Sequence, residues 1–210
     1  ADEVEFSDES ADWKWQTVWG EGLTEKLGFP LPANRELKKV GDGFAFLESR
    51  LPEGVVSILS PRDEVSQALG LPEELRQVDE GELEHLRIRA GLVAIPQEIG
   101  PGELPQEGGL EENFVDFDKG CYLGQEVMAR LHAMGKARRR GVPVYWTGRE
   151  PPPIPTALLI GEKEVGSLKS LSMREEGGIG MAIVHENGIP ELDENGLLVP
   201  DSKRGRIKRL

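Results

Sequence analysis

The chain has a single cysteine, Cys121, in 210 residues. An internal disulfide framework is thereby excluded, and with no secretory stretch in view a reducing compartment is favoured, with the cytoplasm as the expected location. Long apolar runs are missing too. The longest, such as Thr156 to Ile160 and Ile179 to Val184, are strand-sized and far short of the roughly 20 residues of a membrane helix. Histidine is scarce: His85, His132 and His185 make no metal-ligand spacing with Cys121, so no metal site is expected. What is present is ample core material, 38% apolar residues, enough for a main domain plus a small second one. The chain opens on Ala1 rather than Met, as a chain lacking an N-terminal portion would.

Positive charge is short in one part only. Residues 1–135 hold 12 basic against 28 acidic residues, whereas 136–210 hold 13 against 10. An acidic body repels phosphate backbones, so direct nucleic-acid binding is not expected. The clusters Lys136–Arg140 and Lys203–Arg209 read as solvated surface and a mobile basic tail. The same polarity suggests two domains, 1–135 and 136–210.

In the first part, Trp13–Trp19, Phe44–Glu48 and Val55–Leu59 read as strands, and Pro61 opens a predicted helix through Leu69. Trp13, Trp15 and Trp19 share one strand face and read as core. DEGELEHLRIRAG predicts a helix capped by Asp79, with Glu82 three residues on, Leu83, Leu86 and Ala90 on one face, and Gly91 as its end. The segment 95–120 is far longer than an ordinary connection, and its apolar Phe114, Val115 and Phe117 imply that it docks. QEVMARLHAMG then predicts a helix with Val127, Leu131 and Met134 on one side and Gly135 as its stop. Beyond it lie strand-like pieces at 142–146, 157–160, 164–170 and 179–184, with GEK as a hairpin signal and GREPPPIP as an extended surface loop. The class is α+β, with a small C-terminal antiparallel β-barrel or sandwich.

The string DKGCYLGQE, Asp118 to Glu126, sets Cys121 just ahead of that second helix, with a glycine before it and another three residues on. Amides exposed at a helix start, with Lys119 alongside, stabilise a thiolate. A buried inert thiol fits the same string, and the residues alone leave both readings open. Glycines at such a bend permit a positive φ or a close backbone approach.

KGCYLGQE, followed by Val127-Met128-Ala129-Arg130, resembles the signature of the YgfZ-type proteins, folate-binding members of the glycine cleavage T-protein (aminomethyltransferase) superfamily. Their motif reads K-G-C-Y-x-G-Q-E and is followed by an arginine. LRIRAG at 86–91, PQE at 105–107, GKARRR at 135–140 and the segment from Gly161 to Val184 are similar to further pieces of that family. The resemblance implies a folate-binding α+β core closed by a β-barrel. It also implies a functional thiol at Cys121 helped by Lys119, and a tetrahydrofolate met by Gly120, Tyr122, Gly124, Gln125, Glu126, Arg130 and Arg87. The partners implied are iron-sulfur enzymes or their assembly factors, with tRNA modification as the downstream effect.

Two departures qualify the resemblance. The family's pterin acceptor is a glutamate at the position of Arg89, and an arginine has only donors, so folate binding is expected to be weakened unless Glu84, Asp116 or Asp118 takes over. The N-terminal region that carries the aminomethyltransferase's aspartate has no counterpart here, so the chain is not expected to be a working aminomethyltransferase. Folate-dependent aminomethyl transfer and a cofactor-free interaction module retaining the fold are the alternative functions.

Overall fold

The computed structural model describes residues 4–20, 22–33, 36–47, 55–63, 70–72, 74–135, 137–174, 177–200 and 205–210. It contains two compact units, Ala1–Gln77 and Val78–Leu210. The change of texture at residue 136 falls inside the second unit, shortly before its first barrel strand.

The first unit holds β1 (Trp13–Val18), α1 (Leu23–Lys26), β2 (Lys38–Val40), β3 (Gly43–Leu47) and β4 (Val56–Pro61), an antiparallel sheet in the order β1-β4-β3-β2. Alternation along the strands sends Val18, Val40, Ala45, Val56 and Ile58 to one side, where Leu23, Leu27 and Leu71 cover them. The tryptophans are not that core. Trp15 is 62% exposed, its ring set edge-on to Phe46 and its Nε1 donating to Ser57 Oγ at 3.1 Å, on the sheet face opposite Val18. Pro61 ends β4 opposite Trp13 instead of opening a helix; the helix expected after it falls on residues 64–69, outside the described ones.

The second unit begins with α2 (Glu80–Arg89), α3 (Glu111–Phe114) and α4 (Gln125–Met134). Asp79 caps α2 as expected, its carboxylate accepting from the Glu82 amide at 2.7 Å. The buried face of α2 differs from the expected one. Ile88 is fully buried, whereas Leu83 and Leu86 are 49% and 36% exposed.

A closed barrel follows, built from β5 (Arg139–Trp146), β6 (Thr156–Ile160), β7 (Lys163–Arg174), β8 (Gly177–His185), β9 (Leu197–Leu198) and β10 (Arg206–Arg209), with α5 (Ile189–Glu194) between β8 and β9. Its strand order is β10-β5-β8-β7-β6-β9, and β10 pairs β9 to close the ring. Trp146, Leu158, Leu168, Leu192, Leu197 and Ile207 fill it, each worth about 1.5–3 kcal/mol of apolar burial. Gly205 lets the chain cross the Trp146 ring, since a Cβ there would lie 2.0 Å from it. The expected basic tail is therefore corrected at 206–209: these residues close the barrel, with Ile207 buried and Arg209 paired to Asp193 at 3.0 Å. The GEK hairpin and the GREPPPIP loop stand as read.

The long segment before α4 does dock, with the expected Phe117 stacked on the His132 ring and with further anchors that were not expected. Val93, Ile99 and Leu110 pack on Met181 and Ile183 of β8, while Phe114 is 55% exposed.

Candidate functional site

Gly124 starts α4 at φ 88°, a left-handed conformation that a side chain would strain, and Gly135 ends it at φ 93° with its amide bonded to Leu131 O. Between Lys119 and α4 the chain turns in the open. Cys121 is exposed, which removes the buried inert reading, and Leu123 is completely exposed. The Lys119 ammonium sits 4.6 Å from the centroid of the Tyr122 ring, a cation–π contact. Gln125 Oε1 accepts from the Tyr122 amide at 3.1 Å and fixes the turn. Gly120, Glu126 and Arg130 are exposed, and Val127 is 53% exposed, so the expected apolar side of α4 is only partly covered. The structure thus gathers Lys119, Tyr122 and Gln125 around the bend at Cys121.

Arg87 lies elsewhere, in a buried charge cluster. Its guanidinium donates to Glu84 at 2.6 and 2.8 Å, to Glu98 at 2.7 and 2.8 Å, and to Leu92 O. Glu98 is fully buried and also accepts from the Ala94 amide at 2.6 Å and from Ser170 Oγ. Burial works against the Arg87 charge, but the hydrogen bonds and charges of the two glutamates outweigh it and raise its pKa above the ordinary arginine range. Two further pairs tie the same segment to the barrel. Lys169 Nζ meets Glu103 at 2.6 Å, and Arg139 grips Glu107 at 2.8 and 2.9 Å. The bond from Lys169 holds the Glu103 carboxyl below its usual range, and the bond to Glu107 raises Arg139. A bulge in β7 between Leu168 and Ser170 breaks the strand's alternation, and the neighbours Lys169 and Ser170 both reach carboxylates of one loop. Sequence reasoning missed Glu98, Glu103 and Glu107; the available signal was three acids in a segment anchored by apolar residues.

At Arg89 the side chain is exposed, and with Arg174 it helps depress the His85 pKa, after burial, which acts most. Both oxygens of Glu84 are taken by Arg87. Asp116 and Asp118 are exposed, and one Asp116 oxygen accepts from the Asp118 amide at 2.9 Å. Arg89, at the position where the resemblance implies the pterin acceptor, carries donors only, and Glu84 is engaged by Arg87.

A hollow of about 440 Å³ opens between Gln106, Glu111, Val115, Phe117, Leu131 and His132. Cys121 does not line it, nor does any other residue of the 118–126 motif. Among the described residues no group of three or more His, Cys, Asp or Glu could hold a metal ion, and no helix is long and apolar enough to cross a membrane.

No family model matches the chain. The iron-sulfur cluster assembly factor IBA57 homolog, mitochondrial, of Cryptococcus neoformans is 30% identical over 164 residues, covering 67% of this chain and 42% of that protein. The tRNA-modifying protein YgfZ of Pectobacterium atrosepticum is 29% identical over 163 residues, covering 74% and 47%. The human iron-sulfur cluster assembly factor IBA57, mitochondrial, is 36% identical over 102 residues, covering 44% and 28%. This chain spans less than half the length of these curated relatives. Among solved structures, the glycine cleavage system aminomethyltransferase T of Bartonella henselae superposes with a TM-score of 0.62 at 17% identity, covering 80% of this chain and 49% of that one. The fold is that of the glycine cleavage T-protein superfamily. In sequence, the chain is similar to the YgfZ and IBA57 proteins.

Proposed function

We propose that this chain is a folate-binding-like accessory protein that supports assembly or repair of iron-sulfur clusters, and through them tRNA modification, with Cys121 as its functional thiol. The observation that carries the reading is the open presentation of Cys121 on a turn fixed by Gln125 and Gly124, in relatives' company named for cluster assembly and tRNA modification. An exposed thiol can be reached by a partner or a cluster. One cysteine supplies one ligand of the four that a cubane cluster takes, so a cluster here is cargo met jointly with a client, the iron-sulfur enzyme or its assembly factor. Lys119 and Tyr122 shape the approach to the sulfur, and Arg130 and Glu126 offer charge on the exposed side of α4. The cytoplasm is the location this reading carries, although the assembly-factor relatives are mitochondrial by name.

In this reading tetrahydrofolate is held weakly, because α2 presents Arg89 and an occupied Glu84 where an acceptor is needed. The same observation favours a second reading, a cofactor-free interaction module that retains the fold. Calorimetric titration with tetrahydrofolate separates the two. A ligand at a hundred times its dissociation constant adds about 2.7 kcal/mol to stability, and the module reading expects neither heat nor stabilisation. For the thiol, Cys121→Ala should fail to restore iron-sulfur enzyme activity and tRNA modification in a strain lacking the protein. Full restoration would remove Cys121 from the mechanism.

A further inference from the structure

In the first unit, β1 directs its aromatic side away from the core. Along Trp13–Val18 the alternation sends Lys14 and Gln16 to the covered side with Val18, and Trp13, Trp15 and Thr17 to the other. The register extends that second face with Leu59 of β4, Phe44 and Phe46 of β3 and Lys39 of β2. An antiparallel sheet that meets only water on its far side carries polar residues there. Here the far side is largely aromatic, with Trp15 62% exposed and Trp13, Phe44, Phe46 and Leu59 half-buried. The Trp15 ring lies across β4. Its Nε1 donates to Ser57 Oγ at 3.1 Å, and its ring meets Phe46 edge-on with centroids 5.5 Å apart. Ser57 is fully buried and its Oγ also pairs with Thr17 Oγ1 at 3.1 Å. The one polar atom of the indole is therefore satisfied beneath the ring, and what the ring turns to solvent is hydrocarbon and π surface held in one position.

Charge and area together select what covers this face. The chain carries a net charge of -13, so two copies repel at most approaches. Lys39 is the only charged residue that the strand register places on the face. Two copies can meet there without setting carboxylate against carboxylate. A two-fold axis lying between the faces near Trp15 sets that ring against its own counterpart, where offset stacking is favourable. Strands about 4.8 Å apart that rise about 3.4 Å per residue give four strands of about five residues a footprint of roughly 300 Å². With side-chain relief, both copies together bury on the order of 600–1,000 Å², short of a permanent interface and suited to a reversible one. We propose that the chain self-associates as a weak, two-fold symmetric dimer in which the Trp15 faces of two first units pack together as a sandwich. The interface goes beyond the cluster-assembly reading and shares no residue with the Cys121 turn.

Sedimentation equilibrium of the full chain tests the dimer. Between about 5 and 500 µM the average mass should rise from that of one chain toward that of two, with a dissociation constant of about 10–300 µM. Raising the salt from about 50 to 500 mM should tighten the dimer, because it screens the mutual repulsion and leaves an apolar contact intact. In nitrogen-15 spectra of the wild type, the Trp15 indole resonance should move with concentration along the same isotherm, which reads the contact without any variant. Trp15→Arg should weaken association by about tenfold or more, and the uncharged Trp15→Ser by a smaller factor. Ile154→Ser, in the exposed proline-rich loop of the second unit, and Cys121→Ala should each leave the dissociation constant within about twofold. Failure of the thiol reading and failure of this one therefore give separate results. A wild-type chain that stays monomeric to about 500 µM overturns the proposal, as does a dimer that salt dissociates or one that leaves the Trp15 resonance in place. A dimer retained in a folded Trp15→Arg variant overturns it too. Equal losses in Trp15→Arg and Ile154→Ser would replace the symmetric sandwich with a face that receives its neighbour's loop.

Discussion

Two parts of the second unit use charge in opposite ways. Around the docked segment, Arg87, Glu98, Glu103, Glu107, Arg139 and Lys169 are paired, and the carboxylates of Glu98 and Glu107 are almost wholly withdrawn from water. Around Cys121, Lys119, Glu126 and Arg130 stand in solvent, and the fully exposed Leu123 contributes no burial at all. Buried ions are tolerable only when every lone pair and proton is met, so the first part is fixed in one arrangement. The second has little packing to defend. A change at the Cys121 turn therefore reports on what the turn does, whereas a change in the cluster reports on whether α2 and the long segment stay on the barrel.

The sharpest way to break this contrast is Glu98→Ala. Glu98 accepts from Arg87, Ala94 and Ser170 at once. Its loss takes one of two carboxylates from the Arg87 guanidinium, which keeps Glu84, and leaves the Ala94 amide without that acceptor; an unmet buried group costs about 1–3 kcal/mol. Denaturant unfolding should show that loss, with Glu98→Gln costing less because it keeps an acceptor. A loss below about 1 kcal/mol for Glu98→Ala would mean that the cluster is screened like an ordinary surface pair.

A smaller effect should appear in the pH dependence of the Glu103–Lys169 pair. The folded state holds the Glu103 carboxyl below its ordinary value, chiefly through the Lys169 bond. Its contribution is therefore present above the unfolded carboxylate range and is lost as pH falls through the folded value. Wild-type stability should drop more steeply than that of Glu103→Gln as pH is lowered below about 4.5, the unperturbed range for a glutamate. At neutral pH Lys169→Met should cost roughly 1–3 kcal/mol, the penalty of stranding a mostly buried carboxylate. Parallel acid profiles for wild type and Glu103→Gln would show that the pair carries no linkage.

What was legible in the sequence was what local chemistry decides. Asp79 with Glu82 marks a helix start, Gly135 marks a helix stop, and Gly161-Glu162 turns a hairpin, each within a few residues of its effect. The illegible parts depend on distant partners. Arg206–Arg209 has a tail's composition, and only pairing with Val144–Trp146 and with Leu197–Leu198 makes it a strand. The face of α2 was misread because the helix lies against β7 and β8 with Ile88 as its buried residue, while the pattern of Leu83 and Leu86 pointed the other way. Of the candidate site, Cys121, Tyr122, Gln125 and Gly124 were named from the motif and lie together at the turn. Arg87, expected to meet a ligand, is engaged by glutamates at positions 84 and 98, and no local pattern marks the second as its neighbour.

The smallest expected effect tests the other side of the contrast. Cys121→Ser and Leu123→Ser remove groups with little or no packing, and surface substitutions of that kind stay within about 0.5 kcal/mol of wild type. Leu123→Ser should if anything help the isolated chain, because a fully exposed leucine gains nothing by folding. Equilibrium unfolding of both variants beside Glu98→Ala would place them at opposite ends of one scale. If either cost more than about 1 kcal/mol, the turn would be structural after all, and a loss of iron-sulfur enzyme support in Cys121→Ala could no longer be assigned to its sulfur. If both are neutral, that loss isolates the thiol, and loss of support in Leu123→Ser would further mark its side chain as a surface that a client protein touches.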